Sequence, residues 1–234
     1  MAHIKNEGTE ILRVLCGSRA HGLETEDSDW DYHSVFVVPT KRLLEINVNV
    51  KETAWVEGDT EDNTAWEIGH FLKLATHCNP TILETFVAPV IEEHTNKHGL
   101  ALREMFPYVL KRKAIYDAFK GYAANQRKKM FEPYGEDKER RMIKAAIAYI
   151  RSLYHGRALL RYGKYETYIA DNNLRVWLKN LKTLERLPHG EVITRALDME
   201  EHLTWAYKTS MVREEPDIVA CNEFLLKIRR WYWE

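Results

Sequence analysis

Three aspartates stand at alternate positions, Asp27, Asp29 and Asp31, directly before the apolar run at residues 35–38. Side chains two residues apart on a strand point to the same side, so Asp29 and Asp31 would present neighbouring carboxylates. Because such carboxylates repel one another and are costly to bury unpaired, they indicate a positive partner. Mg²⁺ suits this position, since it is usually held by one or two carboxylates together with substrate phosphates. We assign Asp27 to capping of its loop.

A Gly-Ser step, Gly17 and Ser18, ends the preceding apolar run, and Arg19 follows it. Glycine lets the backbone approach a ligand closely, and turned backbone N–H groups bind phosphate. Serine adds a hydroxyl, and the guanidinium of arginine matches the geometry of phosphate. The three residues predict a phosphate-binding turn beside the carboxylates. Two metal ions held there would clamp the attacking and leaving oxygens of a phosphoryl transfer.

Other motifs that begin with similar residues do not fit. An EF-hand loop needs glycine at its sixth position and glutamate at its twelfth, where this chain has Tyr32 and Val38. A Walker loop needs Gly-Lys followed by Ser or Thr, which the chain lacks. A serine-hydrolase elbow needs Gly-x-Ser-x-Gly, which the step at Gly17 does not supply.

Composition narrows the class of protein further. The chain has 234 residues with 45% hydrophobic content, enough for a sizeable core, and its net charge of −1 gives no overall field toward nucleic acid or membrane. Three widely spaced cysteines argue against a disulfide framework and a structural zinc site. The polar N-terminus, and apolar stretches well short of about 20 residues, predict a cytoplasmic protein without a membrane span.

Strand signals crowd the first third of the chain. We predict strands at residues 11–17, 34–39 and 46–50, and a hairpin around Gly58 whose return strand begins near Asn63. A helical pattern then follows, and an Asn-Pro step begins a second short helix.

The rest of the chain reads as a series of helices. We therefore predict an α+β fold, in which a small mixed sheet is followed by a mainly helical C-terminal region. The division places a nucleotide-handling catalytic core at residues 1–95. A helical domain at residues 96–234 would complete the cleft.

Four blocks of the sequence resemble one family of enzymes. The stretch GSRAHGLETEDSDWD at residues 17–31 resembles the signature of the nucleotidyltransferases of the DNA polymerase β superfamily, and more narrowly the YcgL-like, RNA-ligase-associated group. The blocks GHFLKLATHCNPTILETF, GYAANQRKKM and KAAIAYIRSLYHGRALLRYGKY are also similar to that group. The resemblance extends over roughly residues 11–166.

The resemblance implies a Gly-Ser motif that grips a nucleoside triphosphate and three acidic metal ligands. Asp29 and Asp31 match two of these ligands. Asp62 is our choice for the third, because it precedes the helix as the acidic position of the family does. Glu67 is the alternative, and Glu61 also remains open.

Basic residues on the predicted helices are candidates for binding anions. Lys144 and Arg151 are seven residues apart on one long helix, so they share a face. We predict that they bind the nucleotide. Lys128 and Lys129, near Gln126, form a second basic patch that would hold the triphosphate or an acceptor nucleic acid.

The sequence thus predicts a nucleotidyltransferase that depends on Mg²⁺ or Mn²⁺. It would move a nucleoside monophosphate from an NTP to an acceptor hydroxyl and release pyrophosphate, with an RNA acceptor such as a tRNA end favoured. Two alternatives stay open. One is a catalytically inert module that binds nucleotide or RNA, and the other is a transferase that modifies a protein side chain.

Overall fold

The computed structural model describes residues 8–46, 53–55, 64–133 and 135–234. Within these residues the strands lie in the first third of the chain: β1 (Thr9–Leu15), β2 (Tyr32–Val37), β3 (Thr53–Trp55) and β4 (Thr64–Glu67). The helices of the same residues are α1 (Gly17–Ala20), α2 (Thr40–Leu43), α3 (Ile68–Thr76), α4 (Pro80–Val87), α5 (Lys97–Glu104), α6 (Phe106–Val109), α7 (Arg112–Phe131), α8 (Lys138–Tyr162), α9 (Asn172–Lys182), α10 (His189–Thr209) and α11 (Ile218–Trp231). The predicted α+β fold is confirmed.

The strands form one mixed sheet in the order β1-β2-β4-β3. β1 pairs with β2 in antiparallel fashion, and β2 pairs with β4 in parallel fashion. Leu15 lies opposite Tyr32 at the end of the first pair, and the Cys16 N–H donates to the carbonyl of Asp31 at 2.8 Å. The Gly-Ser step after β1 and the aspartates before β2 therefore lie side by side.

Most of the predicted elements are present. The strands predicted at residues 11–17 and 34–39 correspond to β1 and β2, and β3 pairs with β4 as the predicted hairpin. Gly58 lies outside the described residues, as does the strand predicted at residues 46–50 apart from Ile46. The short helix α2 was not predicted.

The middle of the sheet is packed against α3 and α4. Val35 and Val37 of β2 are completely buried, because their side chains point into the hydrophobic cluster that contains α3 and α4 residues. Phe71 of α3 and Phe86 of α4 meet with ring centroids 4.8 Å apart. The Asn79 side chain accepts from two backbone N–H groups at the start of α4, as expected for the Asn-Pro step.

The long helix α8 is the centre of the helical region. It begins after Asp137, whose side chain caps it, and ends at Gly163 with a φ of 65°. Ser152 donates to the Phe119 carbonyl of α7 at 3.1 Å, and Tyr149 donates to Glu200 of α10 at 2.5 Å. These contacts fix the orientation of α8 between α7 and α10.

The C-terminal helix returns to the sheet. The Thr40 N–H donates to the Tyr232 carbonyl at 2.7 Å, and Arg229 forms an ion pair with Glu67. One hydrophobic cluster contains residues of both predicted parts. The division at residue 95 stays a prediction. Within the described residues, no helix has both the length and the apolar composition needed to cross a membrane.

Candidate active site

Gly17 brings the turn after β1 against a carboxylate. Its φ is +64°, a conformation that glycine adopts readily. A Cβ atom at this position would lie 1.9 Å from Oδ2 of Asp31. No other residue type would allow this approach, so the Gly-Ser step and the Asp31 carboxylate form one compact unit.

The loop before β2 is fixed by Arg19. Its guanidinium donates to the Ser28 carbonyl at 2.7 Å and to the Asp29 carbonyl at 3.3 Å, and it lies 4.2 Å from the ring centroid of Trp30. The Ser28 hydroxyl in turn accepts from the Thr25 N–H at 2.8 Å. Binding of nucleotide by Arg19 stays a prediction, and the structure gives its guanidinium a role in holding the loop that carries Asp29.

A cleft of about 740 Å³ lies over this loop. The predicted residues Ser18, Asp29 and Asp31 line it from the β1–β2 connection. The predicted residues Lys144 and Arg151 line it from α8. The structure therefore brings together five residues that the sequence placed on separate elements.

Lys182, at the end of α9, also lines this cleft and was not predicted. Its Nζ donates to the Leu23 carbonyl at 2.6 Å, just after the Gly-Ser turn. Burial lowers the pKa of Lys182, and the positive charges of Lys144 and Arg151 lower it further. Three cations therefore approach one another in the cleft. Such a cluster favours the binding of an anion, which would offset the repulsion.

A buried polar cluster lies beneath the cleft. Nδ1 of His21 donates to the Thr167 carbonyl at 2.8 Å, and Nε2 lies 3.1 Å from Oε1 of Glu84. Burial raises the pKa of the Glu84 carboxyl, but the positive charges of His21 and Arg151 outweigh burial and hold the pKa well below its usual range. Glu84 is thus an ionised carboxylate beneath Lys144, Arg151 and Lys182, which together form the cationic wall of the cleft.

His155 completes this cluster from α8. Its ring lies 5.3 Å from that of His21, and burial lowers its pKa well below the usual value. His155 is therefore neutral near pH 7. His155, Glu84 and Arg151 line a small cavity of about 40 Å³ that adjoins the cleft.

The donor set at the aspartates fits a hard divalent cation only in part. Asp29 and Asp31 supply carboxylate oxygens, the ligands that Mg²⁺ prefers. In the part of the chain that the structure describes, no three His, Cys, Asp or Glu side chains are close enough to hold a metal ion. Asp62 and Glu61, two candidates for the third ligand, lie outside the described residues.

Glu67, the third candidate, is engaged elsewhere. Its two carboxylate oxygens accept from the Arg229 guanidinium at 2.6 and 2.9 Å, and Oε2 also accepts from the Gly69 N–H at 2.7 Å. Its side chain is only 6% exposed. As placed, Glu67 is a helix cap and an ion-pair partner of α11.

A comparison with known protein families identifies a matching family model. The family whose model matches residues 1–218 is the RNA repair pathway DNA polymerase beta family. The chain belongs to this family. Searches of curated proteins and of solved structures gave no match. Membership of the RNA repair pathway DNA polymerase beta family indicates nucleotidyltransferase-type activity, and it confirms the resemblance to the polymerase β superfamily.

Two features of the site show what sequence reasoning missed. Lys182 lies on a helix whose pattern gave no link to the Gly-Ser turn, because only the packing of α9 brings the two together. His21 stands within the first matched block, but its partners Glu84 and Thr167 come from distant segments. In both cases the sequence gives the type of side chain but not the residues that lie next to it in the fold.

Proposed function

We propose that this protein transfers a nucleoside monophosphate from an NTP to an acceptor hydroxyl and releases pyrophosphate. The observation that carries the proposal is the cleft in which Asp29 and Asp31 on one element meet Lys144, Arg151 and Lys182 on two others. Acidic and cationic groups lining a single cleft suit a substrate that carries both metal ions and phosphates.

In this reaction the cationic wall binds the triphosphate. Arg151 and Lys144 lie along one face of α8 and would contact the β- and γ-phosphates, with the Ser18 hydroxyl as a further donor. Lys182 joins them from α9. Their charges also stabilise the pyrophosphate as it leaves, so most of the catalysis is positioning and electrostatic stabilisation.

Asp29, Asp31 and Asp62 would hold Mg²⁺ or Mn²⁺. A divalent cation there supplies charge neutralisation for the transfer. The register supports Asp62 as the third ligand: His33 pairs with Thr64, and Asp31 and Asp62 each stand two residues before these partners in the sequence. Glu61 is the less favoured choice, and Glu67 is committed to Arg229.

The transfer itself exchanges one P–O bond for another. The acceptor oxygen bonds to the α-phosphorus, the bond from that phosphorus to the bridging oxygen breaks, and pyrophosphate leaves with the electron pair. The hydroxyl proton passes to one of the carboxylates that would hold the metal ion, for which we propose Asp62. We further propose that the acceptor is RNA, such as a tRNA end, which the family description supports. The reaction would take place in the cytoplasm, consistent with three buried cysteine thiols.

The test is a labelling experiment with purified protein. Each α-³²P-labelled NTP is incubated with Mg²⁺ or Mn²⁺, total RNA and cell extract, using wild type and an Asp29→Asn, Asp31→Asn variant. We expect label in RNA with wild type, and a loss of about 100-fold or more in the variant, because charge stabilisation at the phosphates is removed.

Asp117→Asn is the matched control. Asp117 is an exposed aspartate of α7 that pairs with Lys113, away from the cleft, so this variant should label RNA as wild type does. Label in protein that the double variant abolishes would instead establish the protein-modifying alternative. NTP binding without any transfer would indicate the inert binding module, and no NTP binding at all would refute the nucleotidyltransferase.

A further inference from the structure

A groove leaves the cleft between α7 and α8. It has a volume of about 280 Å³ and shares Lys144 and Ala148 with the cleft. Its other lining residues come from α7, from the connection between the two helices and from α8: Gln126, Lys129, Pro133, Arg141 and Ala145. The groove is therefore an extension of the candidate active site along α8.

The groove is lined by three cationic side chains and by two small ones. Lys129 stands on α7, and Arg141 and Lys144 stand on α8. Ala145 and Ala148 lie between these cations, and their small side chains leave room for a ligand close to the helix. A phosphodiester backbone with one negative charge per nucleotide matches this arrangement.

The cations of α8 also follow the helix in register. Arg141, Lys144 and Arg151 are separated by three and seven residues, so they lie on one face. With a rise of 1.5 Å per residue, Lys144 and Arg151 are about 10 Å apart along the axis. The same stripe thus continues from the groove into the cleft, where Arg151 and Lys182 stand near Ser18.

We propose that this groove binds the acceptor as a single RNA strand, with its backbone phosphates on Lys129 and Arg141 and its reactive end in the cleft. The inference rests on the proposed function, because the acceptor hydroxyl must reach the aspartates. The triphosphate has cations of its own in Lys144, Arg151 and Lys182. This leaves Lys129 and Arg141 of the groove for the second substrate.

The experiment measures RNA binding and NTP binding separately. A short fluorescein-labelled single-stranded RNA is titrated with wild type, Lys129→Gln and Arg141→Gln at several salt concentrations, with fluorescence anisotropy as the readout. We expect weaker RNA binding in both variants. The slope of log affinity against log salt should fall by about 0.7 for each lost phosphate contact. Calorimetry should give an unchanged NTP affinity for Lys129→Gln.

Lys113→Gln is the matched control, because Lys113 is an exposed lysine of the same helix that pairs with Asp117 and does not line the groove. It should bind RNA as wild type does. Equal RNA affinity for Lys129→Gln and wild type, or an equal loss in Lys113→Gln, would overturn the groove assignment.

The two proposals fail in different ways. Wild type that binds RNA through Lys129 but transfers no nucleotide would refute the proposed function and leave the groove assignment intact. Wild type that labels RNA, with a Lys129→Gln variant that binds and labels RNA equally well, would refute the groove assignment alone.

Discussion

Lys182 sets the pH dependence of the cationic wall. Burial and the charges of Lys144 and Arg151 lower its pKa. Its ammonium group therefore loses its proton at a lower pH than that of an ordinary lysine, whose pKa is about 10.4. NTP binding needs the charged form. We therefore expect NTP affinity to fall by up to about 10-fold as the pH rises from about 7 toward the usual lysine pKa of about 10.4, since a hydrogen bond to a charged group is lost. Calorimetry at several pH values measures this decline.

Lys182→Arg separates the charge from its titration. The guanidinium stays protonated throughout this range, so the variant should bind NTP with little pH dependence. Lys179→Gln, on the same helix but paired with Glu24, should keep the decline seen in wild type. An unchanged decline in Lys182→Arg would show that another group titrates.

Residues that follow local rules could be predicted from the sequence, and those placed by packing could not. Strand alternation predicted that Asp29 and Asp31 lie together, and they line one cleft although both lie in the loop before β2. Lys144 and Arg151 share a face because helical residues repeat. All four line one cleft. Glu67 was a reasonable alternative by position, but its partner Arg229 lies 162 residues away along the chain. No local pattern shows that ion pair.

At the scale of elements, the loop before β2 depends on Arg19. Removing the guanidinium in Arg19→Ala frees the carbonyls of Ser28 and Asp29, so Asp29 is held less firmly. We expect the rate of transfer at saturating NTP to fall by about 10- to 100-fold, because small displacements of a catalytic group are costly. The NTP dissociation constant should change by less than about twofold, because a residue that only positions Asp29 affects the rate of the chemical step and not the binding of NTP.

Single-turnover kinetics and calorimetry divide the two effects. Arg19→Lys keeps the charge but lacks the fork that reaches two carbonyls, so it should resemble Arg19→Ala. If Arg19 instead binds the triphosphate, Arg19→Ala will raise the NTP dissociation constant and Arg19→Lys will restore it in part. That result would support the role that the sequence first predicted for Arg19.

The elements themselves were largely readable, for physical reasons that differ between them. The end of β2 is a continuous apolar run because both of its faces are buried, with Val35 and Val37 in one hydrophobic cluster and Phe36 in another. The start of α4 is indicated by the Asn-Pro cap. α2 gave no signal, because a helix of four residues has no periodicity to detect. Its position depends instead on two hydrogen bonds, which the Thr40 and Lys41 N–H groups donate to the carbonyls of Tyr232 and Trp233.

At the scale of the whole molecule, α11 joins the end of the chain to the sheet. Arg229 forms two hydrogen bonds with Glu67, and the side chains are only 16% and 6% exposed. The Arg229 carbonyl also accepts from the Thr40 hydroxyl at 2.7 Å. Glu67 ends β4, whereas Asp31 precedes the parallel strand β2. The contacts of α11 therefore lie at one end of these strands and the aspartates at the other. Stability and catalysis can therefore be changed separately.

Arg229→Met tests this separation. It leaves the Glu67 carboxylate buried without its partner, so we expect the free energy of unfolding to fall by about 3 to 5 kcal/mol in urea denaturation. Arg230→Met, the exposed neighbour, should change it by less than about 0.5 kcal/mol. Adding Glu67→Gln to Arg229→Met should recover part of the loss, because the unpaired charge is removed. At temperatures where Arg229→Met remains folded it should label RNA at the wild-type rate, whereas lost labelling in folded protein would show that α11 acts on the cleft.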